Sequence, residues 1–488
     1  AAGPAATVAL ADELGRLFDQ MSTAGVAWSR LDGLAPEEHD RYFEISLDFL
    51  RIARRAWLAH LDALELVEPA VRRDVLVGAE AARLARLGIA AGPVIAAGST
   101  GSLPATARLL AAIARLPQGA VVLPGLDLDA EDDAFALLTA PATLAPDHPQ
   151  YGLAHLLPLL GVARRDVMEL GPRGPNGRER LLSEAMRQSE TTDRWTSLAT
   201  RLPDTVRDAA LEGLALVAAA DPREEALAIA LVLRDTLERP GETAALVDSA
   251  GVPLAETAPG RLARLVARAA AEDCAPGPLF ALLTHPMARF GLEAEEKRAA
   301  VAALELIALR GPRPRAGIAG LAATVAAFAP DTLRDGDPRR RVDAAGIAAA
   351  SDLVARLGAA LAPLFACTGK APLPDLVAAH RAALTAMAGP LDAEDADPAR
   401  AALALAFEEI AAGAADGPAL RLADYAETVS ALFADQMVRP PRQAQEQVRI
   451  LGPLEARLIH VDRVILGGLV EGAWPPQTRT DPWLSRPM

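Results

Sequence analysis

Apolar residues recur at three- and four-residue steps through ALADELGRLFDQM and YFEISLDFLRIARRAWLAHL, so residues 1 to about 90 read as helices with one apolar face each. The pattern changes at Pro93. Val94–Ala97 is a short apolar run of strand length, GSTGS (Gly98–Ser102) a tight loop, and Pro104–Leu116 an amphipathic helix. Ala120–Leu123 is a second strand, ending in PGLD. Strand, helix and strand in that order predict one βαβ unit with a parallel pair and a right-handed crossover.

Residues 128–210 mix short helices with turn-rich stretches, and GPRGPNGRER (Gly171–Arg180) reads as an exposed loop. A second α/β segment follows. Leu214–Ala218 is expected as a strand, Pro222–Glu238 as a helix capped by Asp221 with Pro222 in its first turn, and Thr243–Val247 as the next strand. From Arg261 to about Gln436 the pattern is helical, broken by HPMARFG, RGPRPRAG and RDGDPRRR. His285 is expected at a helix start and His148 in a loop. Strand character returns at Val448–Leu451 and Val464–Leu466, before the turn-forming EGAWPPQ. No internal repeat is visible. The expected fold class is α/β and helix-rich, with sheet segments separated by large helical insertions.

Composition sharpens this reading. A chain of 488 residues is too long for one core, and 51% hydrophobic residues without a polar low-complexity tract mark a folded protein. Alanine, leucine and arginine dominate while aromatics reach 4%, which favours helix. A net charge of -15 rules against wholesale coating of a polyanion, so any DNA contact must come from local patches. One such patch lies between Lys297 and Arg341, where nine positive residues face four acids. Arg313, Arg315 and Arg340 in its RGPRPR and DPRRR runs are candidate phosphate contacts, with a solvated loop as the equal alternative. No aromatics interleave there, so base stacking is not signalled.

Cys274 and Cys367 stand far apart, give no metal-ligand spacing, and suit small buried positions in a reducing cytoplasm. No apolar run approaches the ~20 residues that span a bilayer, so no membrane is expected as a partner. The start lacks the basic region of a signal peptide, and both ends read as arbitrary, as in the central fragment of a longer protein.

Among motifs that carry chemistry, the GSTGS turn (Gly98, Ser99, Thr100, Gly101, Ser102) could hold an anion at a helix N-terminus, or be a plain tight turn. Glu224 and Glu225 open the helix after Asp221. Acid chemistry is conceivable there, but the helix dipole explains them more cheaply. No G-x-x-x-x-G-K-[ST] occurs, and CTGKAP around Lys370 lacks the first glycine and the hydroxyl. No acidic cluster of two-metal nuclease layout is present, and the seven histidines are scattered. No catalytic or metal residue is therefore expected.

The final stretch, VRILGPLEARLIHVDRVILGGLVEGAWPP (Val448–Pro476), carries the most information. Taken alone it fits a Gly/Pro-rich hairpin capping a sheet. Its order of words resembles a late motif of superfamily 1 helicases of the UvrD and RecB type, in which a strand leads to a K-G-L-E turn, a second strand and a Gly-x-x-Glu-Gly-x-x-Pro ending. The GPLEARL, GGL-x-EG-x-WPP and TDPWLSRPM runs resemble the AddB family of helicase–nuclease subunits more closely still. The resemblance implies superfamily 1 RecA-type lobes with helical insertions. Residues 1–92 would form a helical subdomain, 93–213 the rest of a first lobe, 214–260 with 437–488 a second lobe, and 261–436 a helical insertion. It also implies Gly452, Glu455, Arg457, Gly467, Gly468, Glu471 and Trp474 as DNA- or phosphate-contacting candidates.

VIAAGSTGSLPATARLLAAIARLP (Val94–Pro117) is similar to that family's counterpart of helicase motif III, but without the acid and glutamine of working motors. Pro453 stands near the place where such motors carry a lysine. The implied role is the scaffold and DNA-binding part of AddB in a complex that processes DNA double-strand breaks, acting on duplex ends and single strands. The motor, with its ATP and magnesium, would belong to an AddA-type partner. The nuclease and an iron–sulfur cluster would belong to a C-terminal domain outside these residues, so no cofactor is expected within them. The family carries a further stretch before D-S-A-G, whereas here TAALV joins DSAGVPL directly at Val247–Asp248. Two other readings stay open: a non-enzymatic helical scaffold, and a small-molecule α/β enzyme using the GSTGS turn.

Overall fold

The computed structural model describes the chain apart from residues 1–2, 34–39, 141–145, 172–176, 238–244, 311–313, 392–396, 414–416, 440–445, 458, 475–482 and 484–488. The protein is 64% helical and 5% strand, so its sheets act as short seams between helices. It divides into two units. One comprises Glu13–Glu242 with Pro453–Met488, the other Ala1–Asp12 with Thr243–Gly452. The expected second lobe is thus shared out: 214–242 and 453–488 fall in the first unit, 243–260 and 437–452 in the second.

The predicted helices are α1 (Pro4–Ala24), which belongs to the first unit from Glu13 on, α2 (Asp40–Ala63) and α3 (Pro69–Leu87). Leu17, Met21, Leu47 and Leu50 bury the apolar faces of α1 and α2 together. Glu68, just before α3, is buried with its charge met by Arg54 and its second role taken by Trp57, whose Nε1 donates to it at 3.1 Å. The predicted βαβ unit is present. Strand β1 (Val94–Ala97) runs parallel to β2 (Gly119–Val122), and α4 (Pro104–Ala114) crosses between them. Leu84 of α3 packs against Ile113 and Leu116 on one side of α4. On the other side Ala107 and Leu110 pack on Leu156 of α6 (Tyr151–Leu160), which follows the short α5 (Asp132–Leu137).

Three short helices follow, α7 (Arg178–Ala185), α8 (Leu198–Arg201) and α9 (Asp204–Leu211), and then α10 (Pro222–Leu237). The core of the expected loop at Gly171–Arg180 lies outside the described residues, and Arg178–Arg180 begin α7. Leu214–Ala218 is not a strand. It is irregular, with Leu214 64% and Leu216 92% exposed, and among the described residues no strand pairs with it. An apolar run becomes a strand only where a neighbour completes the ladder.

The second unit opens with β3 (Ala245–Asp248) and β4 (Val252–Pro253). The helical block predicted for 261–436 follows as α11 (Ala258–Ala271), α12 (Pro276–Thr284), α13 (Ala294–Leu304), α14 (Gly317–Ala326) and α15 (Ala344–Ala366). Strand β5 (Lys370–Ala371), α16 (Leu373–Ala388), α17 (Pro398–Gly413), β6 (Leu420–Arg421) and α18 (Leu422–Asp435) continue it, and β7 (Met437–Val438) and β8 (Glu446–Ile450) end the unit. β8 lies parallel to β3, as expected of a sheet interrupted by a helical insertion, and β3 passes unbroken through the Val247–Asp248 junction. The antiparallel seams β4–β7 and β5–β6 were not legible in the sequence. Each is two residues long, too short to carry a period.

Helix α11 is the axis of this core. Thr257 caps it, accepting the Gly260 amide at 3.1 Å, and Leu262, Ala263, Val266, Ala267 and Ala270 are buried. Leu262 alone contributes about 2 kcal/mol by leaving water. His380 is fully buried between the Tyr425 hydroxyl (3.0 Å) and the Ala263 carbonyl (2.9 Å). Helix α15 corrects the expectation that no apolar run approaches bilayer length, since its 23 residues meet that criterion by length and composition. Its Leu353, Leu357, Leu361 and Leu364 are nevertheless buried in the core, and Asp352 pairs with Arg356 on it at 2.7 Å.

Candidate functional site

The GSTGS turn leaves the C-terminal end of β1 and enters α4, the edge of a parallel sheet where ligands of α/β proteins usually sit. Gly98 and Gly101 take positive φ (83° and 63°), which explains glycine at both. A Cβ on Gly101 would come within 2.8 Å of Leu156, so the turn is pressed against α6. The three hydroxyls are occupied locally. Thr100 Oγ1 and Ser102 Oγ share a hydrogen bond of 2.7 Å, and Ser99 Oγ accepts the Gly101 amide at 3.2 Å. The loop after β2 is braced by Gln150, whose Nε2 donates to Gly125 O at 2.8 Å and whose Oε1 accepts the Asp127 amide at 3.0 Å. The turn can offer the free amides at the start of α4, but no side chain that acts as an acid or base.

The C-terminal signature meets α10. Asp221 caps that helix as predicted, its Oδ1 accepting the amides of Arg223 and Glu224 at 2.8 and 2.9 Å. Glu224 turns back to accept the amide of Ala220, the residue before the cap, at 2.6 Å, which ties the incoming chain to the helix start. Glu225 does something else: its Oε1 accepts the Gly468 amide at 2.6 Å. Gly467 sits so close to Ile229 that a Cβ would lie 3.1 Å from its Cδ1, and Arg463 Nη1 donates to Thr236 Oγ1 at 2.9 Å. From Glu225 to Thr236 the helix rises roughly 16 Å, and five extended residues from Arg463 to Gly468 span about the same. The signature therefore lies along α10, antiparallel to it.

This corrects the strand expected at Val464–Leu466. The segment is extended but irregular, and Val464 and Leu466 face outwards because a helix offers no ladder to pair with. Beyond it, Gly468 (φ 70°) starts a turn in which Val470 O accepts the amides of Ala473 and Trp474, leaving Glu471 and Trp474 exposed. Gly452 is the last residue of the second unit, while Glu455 and Arg457 lie exposed in the turn that follows. The predicted candidates thus form separate groups: Gly98–Ser102 at α6, and Gly467 and Gly468 at α10.

Four of the nine basic residues in the run have an acid in place. Arg298 pairs with Glu295, Arg310 with Glu305 at 2.7 Å, Arg339 with Asp337 at 2.7 Å, and Arg340 with Asp335. DPRRR is a capped turn, Asp337 accepting the Arg339 amide at 2.9 Å, where a flexible loop was expected. Arg313 lies outside the described residues, and Arg315 is exposed.

Two charged groups escaped the sequence reading. In the first unit Arg187 bridges Glu131 (2.8 Å) and Glu184 (2.9 Å), and Arg201 bridges the same pair at 2.8 Å each. Burial works against the Glu131 carboxylate, but its own backbone amide and Arg187 hold its pKa below the usual value. Two cations against two anions make this a structural clamp between α5, α7 and α8.

The other group is at the α12–α13 junction. His285 follows the last turn of α12 as its C-cap, which corrects the helix start expected there, and Lys297 is only 8% exposed. Lys297 Nζ donates to His285 O at 2.6 Å. Lys297, Ala300, Val301 and Leu304 share one face of α13, so the spacing did place this lysine inward. His148 lies in a turn as expected, its Nε2 2.8 Å from Met186 O. Cys274 is buried, and burial pushes its thiol up to about 12. Among the described residues no group of three or more His, Cys, Asp or Glu side chains is placed to hold a metal ion.

No family model, curated protein or solved structure matches this chain.

Proposed function

We propose that this chain is the scaffold and DNA-binding part of an AddB-type subunit of an ATP-dependent helicase–exonuclease. Such a complex processes DNA double-strand breaks for homologous recombination. The motor would lie in an AddA-type partner and the nuclease in a domain outside these residues. ATP and magnesium would be bound by that partner, and an iron–sulfur cluster by that further domain. The observation that carries the reading is the signature Val448–Pro476, whose words occur in the family's order. Support comes from the parallel pair joined by α4, from β3 and β8 flanking a helical block, and from the seating of Gly468 on Glu225. Superfamily 1 RecA-type lobes and a cytoplasmic location belong to the same proposal.

Local neutralisation of Arg298, Arg310, Arg339 and Arg340 favours a second reading, a non-enzymatic helicase-like scaffold for protein or DNA. Purified chain titrated with single-stranded oligonucleotide across salt, and co-expressed with a Walker A-bearing AddA-type subunit, tests the first reading. Expected are salt-steep DNA binding and a stable heterodimer. A chain that forms no complex with such a subunit and binds no DNA at low salt would sink it.

A further inference from the structure

The clamp between α5, α7 and α8 encloses space as well as charge. A cavity of about 30 Å³ lies against it, lined by the polar residues Asp127, Glu131, His148, Gln150, Gln188 and Thr191. Arg187, with its side chain 5% exposed, forms part of the same wall. Cavities that stay dry are apolar, whereas a polar one holds a water for roughly every 10–15 Å³. By that measure there is room here for one or two.

Most of the polar lining is already paired. Asp127 Oδ1 accepts the amides of Asp129 and Ala130 at 2.9 Å each. Both ends of the Gln150 amide are bonded, and so are both ring nitrogens of His148. Thr191 Oγ1 donates to Gln188 O at 3.2 Å. Two acceptors stand apart. Gln188 Oε1 is buried and has no hydrogen-bond partner among the described residues. Glu131 Oε2 lies 2.8 Å from Arg187 Nη2, which meets its charge, but at an angle that makes no hydrogen bond. A buried acceptor without a donor is unfavourable, and folded proteins pair nearly all of them with protein or with ordered water.

We propose that this cavity is a hydration site, in which one or two ordered waters donate to Gln188 Oε1 and Glu131 Oε2 and complete the clamp. Arg187 and Arg201 already match Glu131 and Glu184, so the clamp has no spare charge to attract an ion. Water also donates and accepts alike, so it serves the Gln188 amide whichever way it is turned, as a metal ion would not. The bound solvent ties Glu131, at the start of α5, to Gln188, just after α7, and so joins elements that the arginines alone hold by charge.

The test pairs a crystal structure of the chain, at a resolution that shows individual waters, with urea denaturation of the chain and of Gln188→Met. Methionine is close to glutamine in size and removes the acceptor. Expected are one or two water peaks within hydrogen-bond distance of Gln188 and Glu131. Gln188→Met should then lower the folding equilibrium about fivefold, the net worth of one hydrogen bond. A dry cavity gives the opposite sign, because removing an unmet buried acceptor stabilises the fold. An empty cavity in the crystal, or a folding equilibrium that stays level or rises in Gln188→Met, overturns the proposal. So does density that refines only as an ion. The crystal decides alone if the variant does not fold.

Discussion

Glu225 in the first turn of α10 accepts the backbone amide of Gly468, 243 residues later, at 2.6 Å. One carboxylate thereby joins two stretches that the sequence marks for different reasons, a helix start and a Gly-rich signature. A hydrogen bond to a charged acceptor is worth about 1.5–3 kcal/mol when half-buried, and this one anchors a segment that has no strand neighbour. Glu225→Ala should release residues 463–474 from α10, seen as faster amide hydrogen exchange in peptides covering that segment. Glu225→Gln keeps an acceptor and should lie between. Unchanged exchange in Glu225→Ala would show that Ile229 and Thr236 suffice to hold the segment.

Gly101 and Gly119 flank α4 and should respond unequally to alanine. A Cβ on Gly119 would stand 1.8 Å from the Ile113 carbonyl oxygen, backbone that cannot rotate aside. On Gly101 it would meet the Leu156 side chain at 2.8 Å, which can shift, at a backbone φ of 63° that alanine disfavours. Gly101→Ala is expected to lower stability by about 1–2 kcal/mol, and Gly119→Ala by more, to the point of unfolding the β1–α4–β2 region. Urea titration followed by circular dichroism orders the two. The reverse order would contradict the packing described here.

His380 makes the second unit acid-sensitive. Burial holds its imidazole down at about 4, against an ordinary 6.5, with its bond to Ala263 O acting weakly the other way. The native state therefore keeps it neutral, one ring nitrogen donating to Ala263 O and the other accepting from the Tyr425 hydroxyl. The unfolded chain takes up a proton below 6.5 and the folded chain only near 4. The resulting stability is complete above pH 6.5 and is lost as pH falls from 6.5 to 4, by about 3 kcal/mol in total. His380→Leu should flatten this limb while costing about 1–3 kcal/mol at pH 8, since two buried polar partners are orphaned. Denaturation midpoints at pH 5 and pH 8 for both proteins decide it.

Local periodicity made much of this architecture legible. The helices α1, α2, α4 and α10, the β1–β2 pair, the Asp221 cap and the helical block from α11 to α18 all follow from the spacing of apolar residues and cap chemistry within a few turns of chain. Misreadings arose at Leu214–Ala218 and Val464–Leu466, both β-branched or leucine-rich and both without a neighbouring strand. His285, expected at a helix start, instead caps the C-terminal end of α12.

The sequence by itself determined where helices start, which residues they turn inwards, and that the chain lacks a Walker A lysine site, because each of these depends on neighbours within about ten residues. Whether an apolar run becomes a strand, which arginines are neutralised, and that the Lys297 ammonium meets the His285 carbonyl were decided only by tertiary structure. Those outcomes depend on residues hundreds of positions apart: a ladder needs a second strand, a charge needs a counter-charge at 3 Å or so, and desolvation needs a complete core around it.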